Sequence, residues 1–172
     1  RQRIIKELYE KFFSQAFKAT SEKMGIVYTP DEIVDYILHA TDRMLFKEFG
    51  RHLADEGVHV LDPFTGTGTF IVDLIHDEDL MPADKLAWKY QHELHANEIV
   101  LLAYYIATIN IEQAYHARVG EGAGYAPFPG AVLTDTFQMY EEGDPIDRTV
   151  FVGNSKRIDE QMELPIRVIV GN

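Results

Sequence analysis

Cysteine is absent from the 172 residues, which excludes disulfides and thiolate-bound metal. Basic residues are scarce, 16 against 28 acidic ones, and the resulting net charge of -12 has the wrong sign for a surface that grips nucleic acid by displacing counterions. Long apolar runs are missing too. The longest, Ile99 to Ile109, is interrupted by tyrosines and Thr108 and is too short to cross a bilayer. No signal peptide is visible. What remains is a chain with 46% hydrophobic content, enough for one compact α/β domain but not for a second independent one.

Its most informative stretch is Leu61-Asp62-Pro63-Phe64-Thr65-Gly66-Thr67-Gly68-Thr69-Phe70, directly after the apolar run 58–61. This pattern predicts a strand, a glycine turn and a helix start, in which two glycines let the backbone approach a ligand that a Cβ would hold off. No lysine occurs between Asp62 and Asp84, so a P-loop is excluded. The dinucleotide fingerprint wants a third Gly or Ala where Ile71 stands, and Asp62 would set a negative charge close to a pyrophosphate. A cationic, phosphate-free ligand fits better, and S-adenosylmethionine is one: its methionine end carries an ammonium and a sulfonium.

Residues 1–19 place Ile4, Ile5, Leu8, Tyr9, Phe12, Phe13 and Phe17 near the helical period, an amphipathic helix with an aromatic face. With its linker it is read as an N-terminal extension, 1–24, before a domain over 25–172. Thr29-Pro30-Asp31-Glu32 has the form of a capping box opening a helix that runs to about Phe49. A helix N-terminus also presents free N–H groups to a carboxylate. Sequence physics alone favours the capping role for Thr29.

Helices are predicted over Phe70–His76 and Lys85–His92, then a strand through Leu94–Asn97 ending at Glu98, and an apolar helix from Ile99 to about Tyr115. A carboxylate ending the second strand can accept from both hydroxyls of a ribose. Glu98 lies 36 residues beyond Asp62, more than the usual spacing of about 20, and an insert around 77–86 accounts for the excess. A third strand, Ala131–Asp135, ends in another carboxylate, able to accept from an exocyclic amine such as adenine N6. Residues 138–165 read as polar and irregular, with a turn at Gly143-Asp144-Pro145 and a possible short strand at Thr149–Val152. Ile166–Asn172 reads as a fourth, buried strand. His92 and His95 lack the spacing that would place both on one helical face for zinc, so no metal site is assigned.

The order of Tyr28-Thr29-Pro30, the Asp62–Gly68 turn, Asn97-Glu98-Ile99, Asp135-Thr136-Phe137 and Val168-Ile169-Val170-Gly171-Asn172 resembles the gamma class of N6-adenine DNA methyltransferases. Within that class it most resembles the methyltransferase part of large single-chain restriction-modification enzymes. The resemblance implies a Rossmann-like, S-adenosylmethionine-dependent sheet, here truncated after the fourth core strand. It implies that Thr29 contacts the methionine carboxylate, reversing the preference for a mere cap, with Tyr28 beside it. Asp62, Phe64, Gly66 and Gly68 would hold the methionine end, Glu98 the ribose, Ile99 the adenine ring, and Asp135 with Phe137 would surround the base.

The family's catalytic loop is Asn-Pro-Pro-aromatic, and this sequence carries only Asn172 of it. The expectation is cofactor binding without methyl transfer, in a piece of a longer protein whose other regions hold double-stranded DNA. Arg1 in place of a starting Met agrees with that. A cytoplasmic location, in a bacterium or phage, is expected. Two other classes stay open: an NAD-type nucleotide-binding domain, and a noncatalytic interaction domain docking a basic partner on its acidic surface.

Overall fold

The computed structural model describes residues 29–120, 122, 124–139 and 152–172. The expected aromatic helix over 1–19, Tyr28, the turn at 143–145 and residues 149–151 lie outside them. Among the described residues the chain runs through five helices and four strands: α1 (Asp31–Phe49), β1 (His59–Asp62), α2 (Thr69–His76), α3 (Ala83–His92), β2 (Leu94–Glu98), α4 (Leu101–Val119), β3 (Ala131–Leu133), α5 (Val152–Met162) and β4 (Ile166–Ile169).

The strands form one parallel sheet in the order β3-β2-β1-β4. Short strands of this kind need helical crossovers to run parallel, and α2 with α3, α4 and α5 supply them. The chain builds outward from β1 to β3, then returns to lay β4 on the other side of β1. The strand order therefore reverses between β1 and β4, and a crevice opens at their carboxyl ends.

Alternation along the strands sorts side chains between two faces. Val60, Leu94, Ala96, Ala131 and Val168 join Val34, Leu38, Ile71, Leu74, Ile75 and Ile111 in the main core, packed under α1, α2 and α4. On the opposite face Val132 packs with Met139 and Ile158 of α5. His59 and His95 also meet there, stacked with Nδ1 and Nε2 3.0 Å apart, and burial pushes His95 down to about 3. His92 instead packs on Trp88, so the two histidines of the His92-Glu93-Leu94-His95 run do not converge.

Buried Lys89 ties α3 to the loop before β1. Its Nζ donates to Glu93 (2.8 Å), to the carbonyl of Asp55 (3.3 Å) and to that of Val58. Glu93 in turn accepts from Gly57 N–H and Trp88 Nε1. Burial pushes the Glu93 carboxyl up, and these donors outweigh it, so it stays below its ordinary range.

Three expectations need correction. The segment read as irregular contains α5, and Val152, read as the end of a strand, is helical. The face that α5 buries is Asn154, Ser155, Ile158 and Gln161, mostly polar, so the apolar periodicity that marks a helix is absent. Its polar groups are used: Asn154 accepts from Leu133 N–H and donates to Leu133 C=O, both at 2.8 Å, and Arg157 donates to Ala131 C=O. Side chains thus occupy the outer edge of β3 as a further strand would. Second, β4 is not buried. It is the other edge strand, and Ile169 is 67% exposed. Third, β3 ends at Leu133, leaving Asp135 in the following loop, and α4 begins at Leu101 rather than Ile99.

Candidate binding site at the carboxyl edge of the sheet

The edge gathers Asp62, Glu98 and Asp135 on adjacent strands or the loops that leave them. Asp62 ends β1 and is 1% exposed. Its Oδ1 accepts from Phe64 N–H at 3.2 Å, while its Oδ2 is buried with no partner. Burial raises its pKa to about 7, Phe64 N–H and the Thr65 hydroxyl oppose the rise, and Glu98 adds to it. Among the described residues no cation offsets this charge. An orphaned buried carboxylate of this kind is costly by itself and calls for a positively charged or proton-donating guest.

Glu98 ends β2, and its two oxygens accept from Gly66 N–H (2.8 Å) and Val100 N–H (2.7 Å). Burial raises its pKa as well. The glycine turn is thereby folded back onto β2, and Thr65 N–H adds a bond to Asn97 C=O. Both glycines are left-handed, Gly66 at φ +56° and Gly68 at φ +89°, but they serve differently. A Cβ on Gly66 would stand in open space. One on Gly68 would press on Ile111 and Ala107 of α4 at 3.2–3.3 Å, so the missing side chain at Gly68 lets the turn pack closely on α4. Ile71, in the third-glycine position, is fully buried in the core.

Around this floor stand Phe64 and Phe137, 46% and 79% exposed, with ring centroids 5.3 Å apart, and exposed Ile99. Asp135 accepts from Phe137 N–H at 3.0 Å. On the β4 side, a Cβ on Gly171 would lie 2.8 Å from Asp62 Oδ1, which seats the end of β4 against β1's carboxylate. Asn172 follows, and its Nδ2 donates to Thr29 Oγ1 at 3.0 Å. The capping box does not form: Pro30 takes the cap position, no side chain caps α1, and Thr29 turns to Asn172 instead. The sequence-predicted site residues among those described lie at the strand ends of this edge, in the loops and the glycine turn that leave them, or, for Thr29, bonded to Asn172 there.

Residues 1–117 match the N-6 DNA Methylase family. The chain belongs to that family. Solved structures agree. This methylase-family chain is 46% identical to a chain of the DrdV–DNA complex seen by cryo-electron microscopy, with a TM-score of 0.88 over 99% of its length and 16% of the other's. It is 47% identical to a nuclease-deletion mutant of the Type ISP restriction-modification enzyme LlaGI in complex with a DNA substrate mimic (TM-score 0.86, 99% and 14%). Against the ATP-dependent Type ISP enzyme LlaBIII bound to DNA it is 51% identical (TM-score 0.86, 99% and 12%). It thus spans 12–16% of the length of these relatives. The comparison with curated proteins gave no match. The resemblance to the methyltransferase part of large restriction-modification enzymes, and the Rossmann-like sheet it implied, are both met.

Asn97 and Thr136, which stand inside the motifs but were assigned no role, bridge the end of β2 and the loops after β1 and β3. Asp35, His39 and Asp77 also went unsignalled; they lie apart from it, where His39 pairs with Asp77 at 2.9 Å. Two cavities of about 290 and 280 Å³ adjoin α5, and neither includes the strand-end carboxylates. Among the described residues no helix is long and apolar enough to cross a membrane.

Proposed function

We propose that this chain is the S-adenosylmethionine-binding part of a DNA adenine-N6 methyltransferase in a restriction-modification system. The observation that carries the reading is Asp62, a buried carboxylate with an unpartnered oxygen at the reversal point of the strand order. The cofactor's ammonium supplies the missing charge and donor there, and a P-loop or dinucleotide pyrophosphate would aggravate the deficit. Glu98 keeps its backbone donors and accepts from the ribose hydroxyls with the lone pairs they leave free. Ile99 and Phe137 flank the adenine, and Asp135 accepts from its amine. Thr29 keeps its own proton for the methionine carboxylate, since it meets Asn172 as an acceptor. Tyr28 is assigned beside it from the motif.

When bound, the cofactor supplies an electrophilic methyl on a sulfonium. Asn172, seated beside Asp62 through Gly171, would offer its side-chain oxygen to the target adenine's amine, and a base whose N6 is to attack that methyl must leave the duplex stack. The net charge assigns the grip on double-stranded DNA to regions outside these residues. Taken by itself this stretch binds cofactor and does not transfer the methyl group, because the proline carbonyl that accepts from the amine and the aromatic ring that stacks on the base are not in it. A cytoplasmic location goes with this reading.

Isothermal titration calorimetry with S-adenosylmethionine, and NAD for comparison, tests the site. Binding of the first alone, lost in Asp62→Asn and weakened in Glu98→Gln, is expected. A folded protein that binds NAD, or binds S-adenosylmethionine equally well without Asp62, would overturn the assignment. Methyl transfer to adenine in a duplex by the full-length protein checks the reaction.

A further inference from the structure

One hydroxyl ties two loops of the carboxyl edge to the end of β2. Thr136 Oγ1 donates to Pro63 C=O at 2.7 Å and lies 3.3 Å from Asn97 Nδ2. Its single proton is committed to Pro63, so it meets Asn97 as an acceptor, and that fixes the Asn97 amide with its nitrogen inward. The same nitrogen reaches Met139 Sδ at 3.3 Å, and Asn97 is fully buried at the end of β2. Each member adjoins a residue of the proposed site. Pro63 stands between Asp62 and Phe64, Asn97 precedes Glu98, and Thr136 separates Asp135 from Phe137.

The aromatic rings above this clasp do not hold themselves in place. Phe64 is about half exposed and Phe137 mostly so, and their rings face each other at a 35° tilt. Their loops are bridged below them by the Thr136–Pro63 bond, which draws the loop after β3 across β2 to the loop after β1. Thr136 also follows Asp135 directly, so its anchorage sets where that carboxylate points.

We propose that Thr136 is a positioning residue for the adenine end of the site: its hydroxyl sets the spacing of the Phe64–Phe137 pair and the aim of Asp135, and so gives the site its preference for adenine over other purines. The proposal rests on the functional reading above. Without the hydroxyl, the two loops lose their direct link, the ring pair loosens, and Asp135 no longer selects a base that presents an amine over one that presents a carbonyl.

The test is calorimetry on the full-length protein with S-adenosylhomocysteine and its hypoxanthine counterpart. The parent protein should bind the adenine form more tightly. Thr136→Val, which keeps the shape and removes the hydroxyl, should weaken the adenine form about tenfold, the scale of one lost hydrogen bond, and the hypoxanthine form less, so the preference shrinks. Thr136→Ser should restore both affinity and preference, and Thr136→Ala, milder on its neighbours, should reproduce the loss. Unchanged preference in Thr136→Val and Thr136→Ala, whether affinity holds or falls equally for both ligands, would overturn the proposal. Failure of the parent protein to bind either ligand would overturn the functional reading instead.

Discussion

Replacing Asp62 by asparagine removes a charge while keeping the shape, and the structure sets the sign and size of the effect. The unfolded chain titrates Asp62 at its ordinary 3.8, whereas burial holds it at about 7 in the fold. Below 3.8 both states carry the proton and the residue costs nothing. Between the two values the unfolded chain releases a proton that the fold retains, so stability falls by about 1.4 kcal/mol per pH unit, levelling off above 7 at a penalty on the order of 4 kcal/mol. Asparagine removes this penalty but leaves an amide donor where Oδ2 has no partner, at a cost of about 1–3 kcal/mol. The net expectation at pH 8 is a variant about 1–3 kcal/mol more stable than the parent without ligand. Urea unfolding of both proteins from pH 4 to 8.5 measures this, and the difference between the curves isolates Asp62 from Glu98, His95 and the other shifted groups. S-adenosylmethionine at a hundred times its Kd should then add about 2.7 kcal/mol to the parent and nothing to the variant. A difference independent of pH would refute the buried-charge reasoning. Equal stabilisation of both proteins by ligand would refute the role given to Asp62.

Gly68→Ala should cost about 2–3 kcal/mol in urea unfolding, from its left-handed backbone and the contact with α4, while Gly66→Ala, with open space around it, should cost about 1 kcal/mol. Lys89→Met strands Glu93 in the interior and should destabilise by about 3–5 kcal/mol, with partial recovery when Glu93→Leu is added. Asn154→Ala frees both backbone groups of Leu133 and should cost about 1–3 kcal/mol. Concentration-dependent association seen by light scattering should accompany it, since the β3 edge is then uncovered at Leu133.

The glycine turn, the strand-end carboxylates and most of the helices were legible because each is written in local terms. Apolar alternation, a left-handed glycine or a capping run needs only its neighbours in sequence. The α5 helix was not legible for a reason the structure makes plain: Asn154 and Arg157 face backbone groups of an edge strand, so the helix buries polar side chains and its apolar period is lost. The mistaken burial of β4 has a related cause. Ile166–Ile169 carries the apolar content of a central strand, and only its place in the sheet order leaves one side uncovered. Thr29 shows the same limit, since one residue type serves either as a cap or as a partner for a side chain 143 residues away.

By itself the sequence determined that an α/β unit carries an acidic, phosphate-averse turn followed by two more carboxylates, and that its motifs run in the order of the N-6 DNA methylases. Tertiary structure alone decided that Asp62 is sealed from water with an oxygen unpaired, that Gly68 packs closely on α4, and that Thr136 joins two loops to the end of β2. The division follows from range: motif and period are properties of neighbours along the chain, whereas burial and hydrogen-bond partnership exist only once distant segments have met.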